Sequence, residues 1–266
     1  MFKKIMLILA LSLAGSSAVQ AKPIDQQYSA WDALSKKYVH VQADQHQSRT
    51  DYAGLKADHE QLKQVLAELS SVTEPEFSQM SQNQQKAFLI NAYNAFTVEL
   101  ILSKYPDLKS IKDLGSLLQS PWKKEFFSLL GKPHNLDWIE NDMLRSRYKD
   151  PRIHVGINCA SIGCPALRNE AYTAAKIDAQ LDNGMMNFLG DPTRNRYMNG
   201  KLEVSEIFKW FQEDFEKGNK GFTKVNDVFA RYAAQLTSDV NAQAQIRSNA
   251  VPVTYLPYDW SLNAFR

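Results

Sequence analysis

Apolar residues recur with a helical period along much of the chain. In "LKADHEQLKQVLAELSS", Leu62, Val65, Leu66 and Leu69 fall at i, i+3, i+4 and i+7. Ile207, Phe208, Phe211 and Phe215 make one face of "SEIFKWFQEDF", with Ser205 as its cap. "FTKVNDVFARYAAQL" aligns Val225, Val228, Phe229, Tyr232 and Leu236, and "TAAKIDAQLDNGMMNFL" aligns Ile177, Leu181, Phe188 and Leu189. The stretch 87–102, "AFLINAYNAFTVELIL", is apolar on nearly every side, which predicts a helix in the middle of the fold, stopped before Pro106. Two stretches read as strands, "RIHVGIN" and "VPVTYLPYDW". The pattern predicts an α+β fold: a mostly helical single domain over residues 22–266 around a small β-sheet.

The first residues add a different signal. Lys3 and Lys4 precede an apolar core from Ile5 to Ala14, and the small residues Val19 and Ala21 follow. That pattern predicts a cleaved secretory leader over residues 1–21, and hence a periplasmic or secreted protein. The apolar run falls short of the about 20 residues that span a bilayer. Without Lys3 and Lys4 the 31 basic residues become 29, against 29 acidic ones. A neutral chain with no basic cluster carries no electrostatic footprint for nucleic acid. No second long apolar run suggests a membrane span in the mature chain.

The candidate chemistry concentrates in "RIHVGINCASIGCPALR", residues 152–168, which holds both cysteines of the chain. Read as a strand, it puts Ile153, Val155 and Ile157 on one side and Arg152, His154, Gly156 and Asn158 on the other, a polar pocket wall. A strand that ran on would carry Cys159 to the side opposite His154, roughly 16 Å away, so a Cys159–His154 dyad needs a chain reversal or another base such as His134. Three readings stand for the cysteines. A disulfide would close the loop "CASIGC". A redox-active pair is the second. In the third, either thiol is a free nucleophile, Cys164 being activated if Pro165 opens a helix. The pattern His154-x4-Cys159-x4-Cys164 is a poor match to zinc spacing, and no metal or other cofactor is expected. Asn91 and Asn94 lie three apart in the apolar helix; their amides either fix its docking to neighbouring backbone or line a pocket. Glu140 and Arg145 in "LDWIENDMLR" are five apart, a spacing that does not stack on an α-helix. A carboxylate partner for Arg145 is the simpler expectation than an acid catalyst at Glu140.

These segments, with the closing "LPYDWSLN", closely resemble the uncharacterised family catalogued as DUF547, in the same order from about Tyr52 almost to the C-terminus. The resemblance carries that family's signature onto Asn91, Tyr93, Asn94, Glu140, Arg145, Arg152, His154, Cys159, Ser161, Cys164 and Pro165. It supplies no activity, though it implies export, since bacterial members are often exported. A buried helix followed by a histidine-bearing strand is also similar to the core of papain-like and transglutaminase-like proteins, with Asn91 standing where those carry a nucleophile.

The sequence therefore predicts a small anionic or peptide-like ligand held by Asn91, Asn94, Arg152, His154 and Asn158, beside a Cys159–Cys164 disulfide. The alternative is a thiol-dependent hydrolase or acyl transferase using Cys159 or Cys164 with a histidine base. A second alternative is an interaction module for an envelope protein, whose sign would be an exposed apolar patch.

Overall fold

A computed structural model describes residues 23–116 and 118–265. The expected leader, residues 1–21, lies outside them. The first half of the chain gives helices α1 (Ser29–Tyr38), α2 (Tyr52–Ala57), α3 (His59–Ser71), α4 (Glu74–Gln79) and α5 (Gln82–Leu102). Strands β1 (Val39–Val41) and β2 (Ser48–Thr50) pair antiparallel, as do β3 (Phe127–Leu129) and β4 (Lys132–His134). The second half gives α6 (Ile177–Leu189), α7 (Ile207–Trp210), α8 (Gln212–Glu216), α9 (Val225–Arg231), α10 (Ala233–Leu236) and α11 (Val240–Arg247). Its sheet has three strands: β5 (Arg196–Met198) antiparallel to β6 (Lys201–Ser205), and β6 parallel to β7 (Val253–Leu256). The fold is α+β and mostly helical, although the strands among the described residues form three small sheets rather than one.

Helix α5 starts at a capping box, Ser81 with Gln84, which satisfies backbone donors that the helix itself leaves open. Its buried residues point in every direction, from Ala87 through Leu102, so neighbours cover it on all sides. Around it the first hydrophobic core gathers α1, α3 and the segment after α5. A second core collects β6 and α7 to α10. Helix α6 belongs to both: Ile177 and Leu181 enter the first core, and Met185, Phe188 and Leu189 the second. No described helix is long and apolar enough to cross a membrane.

Four elements depart from the sequence reading, one of them "FTKVNDVFARYAAQL", whose expected single helix breaks at Tyr232 into α9 and α10. The stretch expected as the strand "RIHVGIN" is a 3-10 helix over Pro151–Val155. Pro151 supplies a fixed φ at its first position, and the Asp150 carboxylate accepts from the Arg152 backbone N–H at 3.2 Å. Residues 151–158 are buried throughout, so the apolar–polar alternation separates two interior surfaces, not core from solvent. With that strand goes the element on which the likeness to a papain-like core rested. Residues 138–145 form a π-helix, Trp138–Arg145. The single helix expected over "SEIFKWFQEDF" breaks at Phe211 into α7 and α8, and Ser205, the last residue of β6, accepts from the Ile207 N–H at 3.3 Å.

Candidate functional site

A cavity of about 310 Å³ opens where the two cores meet. From the first core α5 contributes Tyr93, and the π-helix contributes Glu140, Asn141 and Arg145. The 3-10 helix brings His154, and the loop behind it Cys159, Cys164 and Pro165. From the second core α7 and its break add Trp210 and Phe211, and the segment after β7 adds Tyr258 and Trp260. The indoles of Trp210 and Trp260 stack with ring centroids 5.7 Å apart, and Trp122 meets Trp260 edge-on at 5.8 Å. Tyr258 lies 4.5 Å from Trp260, so one wall is a continuous aromatic surface.

The opposite side is polar and internally paired. His154 places Nε2 2.8 Å from Asp214 Oδ2, and Arg145 Nε donates to the same oxygen at 2.5 Å. A carboxylate can only accept here, so Nε2 carries the imidazole proton and Nδ1 the lone pair. That buried Nδ1 has no hydrogen-bond partner among the described residues. Phe211 stacks on the ring at 3.8 Å. Burial lowers the His154 pKa against the opposing pull of Asp214. Asp214 is itself buried, yet its bonds from His154 and Arg145 hold its carboxyl far below the usual range.

Glu140 behaves in the opposite way. Burial pushes its carboxyl up to about 7, against the lowering effect of Arg145 and of the Tyr93 hydroxyl, which donates at 3.4 Å. The Trp122 indole N–H donates in turn to that hydroxyl at 3.2 Å. The π-helix explains why Glu140 and Arg145 face the same cavity although five residues apart. Its i→i+5 repeat brings that spacing onto one side, where an α-helix would not. Arg145 does take a carboxylate partner, but the partner is Asp214 on α8, and Arg145 Nη1 also donates to Asn141 at 2.6 Å.

Of the residues singled out from sequence, His154, Cys159 and Cys164 line this cavity together. The 3-10 turn replaces the extended strand, which would have put His154 and Cys159 on opposite sides, and both line the one cavity. The sulfurs of Cys159 and Cys164 stand at disulfide distance, with Cα atoms 6.3 Å apart. No helix follows Pro165, so Cys164 gains nothing from a helix dipole. His134 stacks on Trp138 at 3.4 Å and is not a lining residue.

The expected ligand-binding amides lie behind the wall. Asn91 donates to Tyr172 O at 2.8 Å and accepts from Tyr172 N at 2.9 Å. Asn94 donates to Gly156 O at 2.9 Å and accepts from Asn158 N at 2.8 Å. Asn158 donates to Pro165 O at 2.8 Å and accepts from Ala160 N at 2.8 Å, which shapes the cysteine loop. Arg152 makes a two-pronged ion pair with Asp150, at 2.9 and 2.8 Å, and also bonds Asp178. Each of the four is satisfied by protein groups, and none lines the cavity. Among the described residues no cluster of three or more histidine, cysteine, aspartate or glutamate side chains is placed to hold a metal ion.

Sequence reasoning missed Asp214, Trp210, Tyr258 and Trp260. Asp214 had a signal: it stands seven residues after Ile207 and three after Phe211, a carboxylate on an apolar face. The aromatics of "LPYDW" had only their place in the closing segment of the resemblance, because long-range contacts alone carry them to the cavity.

The family model described as "Protein of unknown function, DUF547" matches residues 77–189, so this part of the chain is a DUF547 domain. The matched segment holds Tyr93, the π-helix, His154 and both cysteines, while Asp214 and the aromatic segment after β7 lie beyond it. No curated protein matches the chain, and no solved structure does.

Proposed function

We propose that this chain, with its DUF547 domain, binds a small uncharged, peptide-like ligand in the cavity between its two cores. The observation that carries the reading is the pairing of an aromatic wall with a polar side on which Arg145, His154 and Asp214 are bound to one another. A peptide plane is flat, uncharged, and bears one donor and one acceptor, so it can stack on the indoles while Glu140 and Tyr93 bond its edge. An anionic ligand finds little to hold it. Arg152 is committed to Asp150 and Asp178, and Arg145 to Asp214. The volume of about 310 Å³ lies at the small end of ligand pockets, which run from about 300 to 1,000 Å³. If residues 1–21 act as a leader, as their pattern predicts, the ligand is met outside the cytoplasm.

Trp210 offers the cleanest test, because it lines the cavity yet is 42% exposed, so little of the core depends on it. Calorimetric titration with acetyl-Gly-Xaa-Gly-amide peptides should find a binder whose affinity falls at least about tenfold, about 1.4 kcal/mol, in Trp210→Ala. The thermal midpoint should stay within a few degrees of the wild type. Equal affinity in the two proteins would remove the aromatic wall from the reading. A second reading, thiol-dependent hydrolysis or acyl transfer, is favoured by one observation: Asp214 orients His154 in the cavity that Cys159 also lines. It requires the cysteine pair to be open.

A further inference from the structure

We infer that the Cys159–Cys164 pair is a reactive wall of the cavity, which exchanges its disulfide with a thiol-bearing peptide, Cys159 being the sulfur attacked and Cys164 the sulfur that leaves. The inference rests on the reading that a peptide-like ligand occupies the cavity. The surroundings of the two sulfurs are unequal.

Both cysteines line the cavity, but Cys159 is partly exposed and Cys164 is buried. An incoming thiolate therefore meets Cys159 first. Cys164 Sγ accepts two hydrogen bonds, from the Cys159 backbone N–H at 3.0 Å and from the Tyr258 hydroxyl at 3.1 Å. These donors stay with the sulfur when it becomes a thiolate, and hydrogen bonds to a charged group are about twice as strong as neutral ones. They favour Cys164 as the leaving group, since a better-stabilised thiolate leaves faster. The Tyr258 hydroxyl also lies 3.2 Å from Cys159 Sγ, so it can follow the charge from one sulfur to the other without moving. Its ring packs over Gly163, where an added Cβ would sit 2.8 Å from Tyr258 Cε2; only a glycine lets the ring reach the pair.

A peptide thiol gives its proton to solvent, and its thiolate attacks Cys159 Sγ. A bond forms between the peptide sulfur and Cys159, the Cys159–Cys164 bond breaks, and its electron pair stays on Cys164 Sγ. A second peptide thiolate then attacks the mixed disulfide at the peptide sulfur. Cys159 leaves as a thiolate, the cysteine pair is reduced by two electrons, and two peptide thiols are oxidised to one disulfide.

The test uses acetyl-Gly-Cys-Gly-amide as the thiol and the full chain, with reduction followed by mass after alkylation. The reduction rate should saturate with peptide concentration, and acetyl-Gly-Ala-Gly-amide, which cannot exchange, should inhibit it. Offered the disulfide-linked form of the Cys peptide, Cys164→Ser should form the mixed disulfide at least tenfold faster than Cys159→Ser. Tyr258→Phe should slow reduction of the wild-type pair about tenfold and, in the Cys159→Ser background, raise the Cys164 thiol pKa by about one unit, a change that lost packing alone does not produce. Equal reactivity of the two single-cysteine proteins, or an unchanged rate in Tyr258→Phe, overturns the exchange. Binding of the Ala peptide without exchange sinks this inference alone. A rate linear in Cys peptide and untouched by the Ala peptide sinks the binding reading and this inference with it. Should a cysteine variant fail to fold, the Tyr258→Phe rate on the intact pair still decides.

Discussion

Glu140 and His154 line one cavity but respond to pH in opposite senses. The native Glu140 carboxyl, pushed up to about 7 from an ordinary 4.5, keeps a proton that the unfolded chain has lost. Its contribution to stability therefore falls as pH rises from about 4.5 to about 7. His154 is held below its ordinary 6.5, so the unfolded chain takes up a proton that the native ring refuses. Stability from that source is lost as pH drops below 6.5. Between those limits the two slopes offset one another. Glu140→Gln removes one of them, so urea unfolding at pH 5 and pH 7 should show its stability relative to wild type improving by about 2 kcal/mol at the higher pH. A parallel pH response in both proteins would show that Glu140 ionises normally. At this scale the sequence was informative about residue types. His154, Cys159, Cys164, Glu140 and Arg145 all stood out, and all five line the cavity. Asp214 did not stand out because a single carboxylate inside an amphipathic pattern is easily taken for its polar face.

Among elements, α5 was the most legible, because a helix that loses its apolar period announces complete burial. The 3-10 helix was the least. Alternating apolar and polar residues describe a strand only when one side meets water, and here both sides are interior. The Asp150-Pro151 start was visible, but a cap and a proline fix where a helix begins, not whether alternation is to be overruled. Ile153 of this short helix shares the first core with α5, and amide bonding fixes the chain just after it. Asn94 spans from α5 to Gly156 and Asn158, and neither backbone group has solvent to fall back on. Asn94→Ala leaves a buried carbonyl and a buried N–H unpaired, so chemical denaturation should show a loss of about 3 kcal/mol. A loss below about 1 kcal/mol would mean that the loop re-forms those bonds elsewhere. Arg152 belongs to the same frame: with Asp150 and Asp178 it ties the 3-10 helix to α6.

Across the whole molecule, the segment after β7 laces the two cores together over the cavity. Tyr258 and Trp260 face inward, and Ile162 and Gly163 of the cysteine loop donate to Ser261 O and Asp259 O, both at 2.8 Å. Asn263 then anchors the far end, accepting from the buried Tyr52 hydroxyl at 2.7 Å and donating its backbone N–H to Ala160 O at 3.0 Å. No local pattern in the sequence foretold this lacing, since every contact in it is distant along the chain. Asn263→Ala should free that anchor, and hydrogen exchange at the Ile162 and Gly163 amides should quicken well beyond any change in global stability. Unchanged protection at those two amides would show the strap to be held by its remaining contacts.

The strap also sets an order in time. Tyr258 follows Cys164 by 94 residues. A ribosome adding about 5 to 20 residues per second therefore leaves the cysteine loop uncovered for roughly 5 to 20 s before its lid is made. During that interval both sulfurs are open to whatever oxidant or thiol the compartment holds. In the young chain the pair therefore exchanges without the Tyr258 hydroxyl, and it gains that donor only once the chain has grown past it.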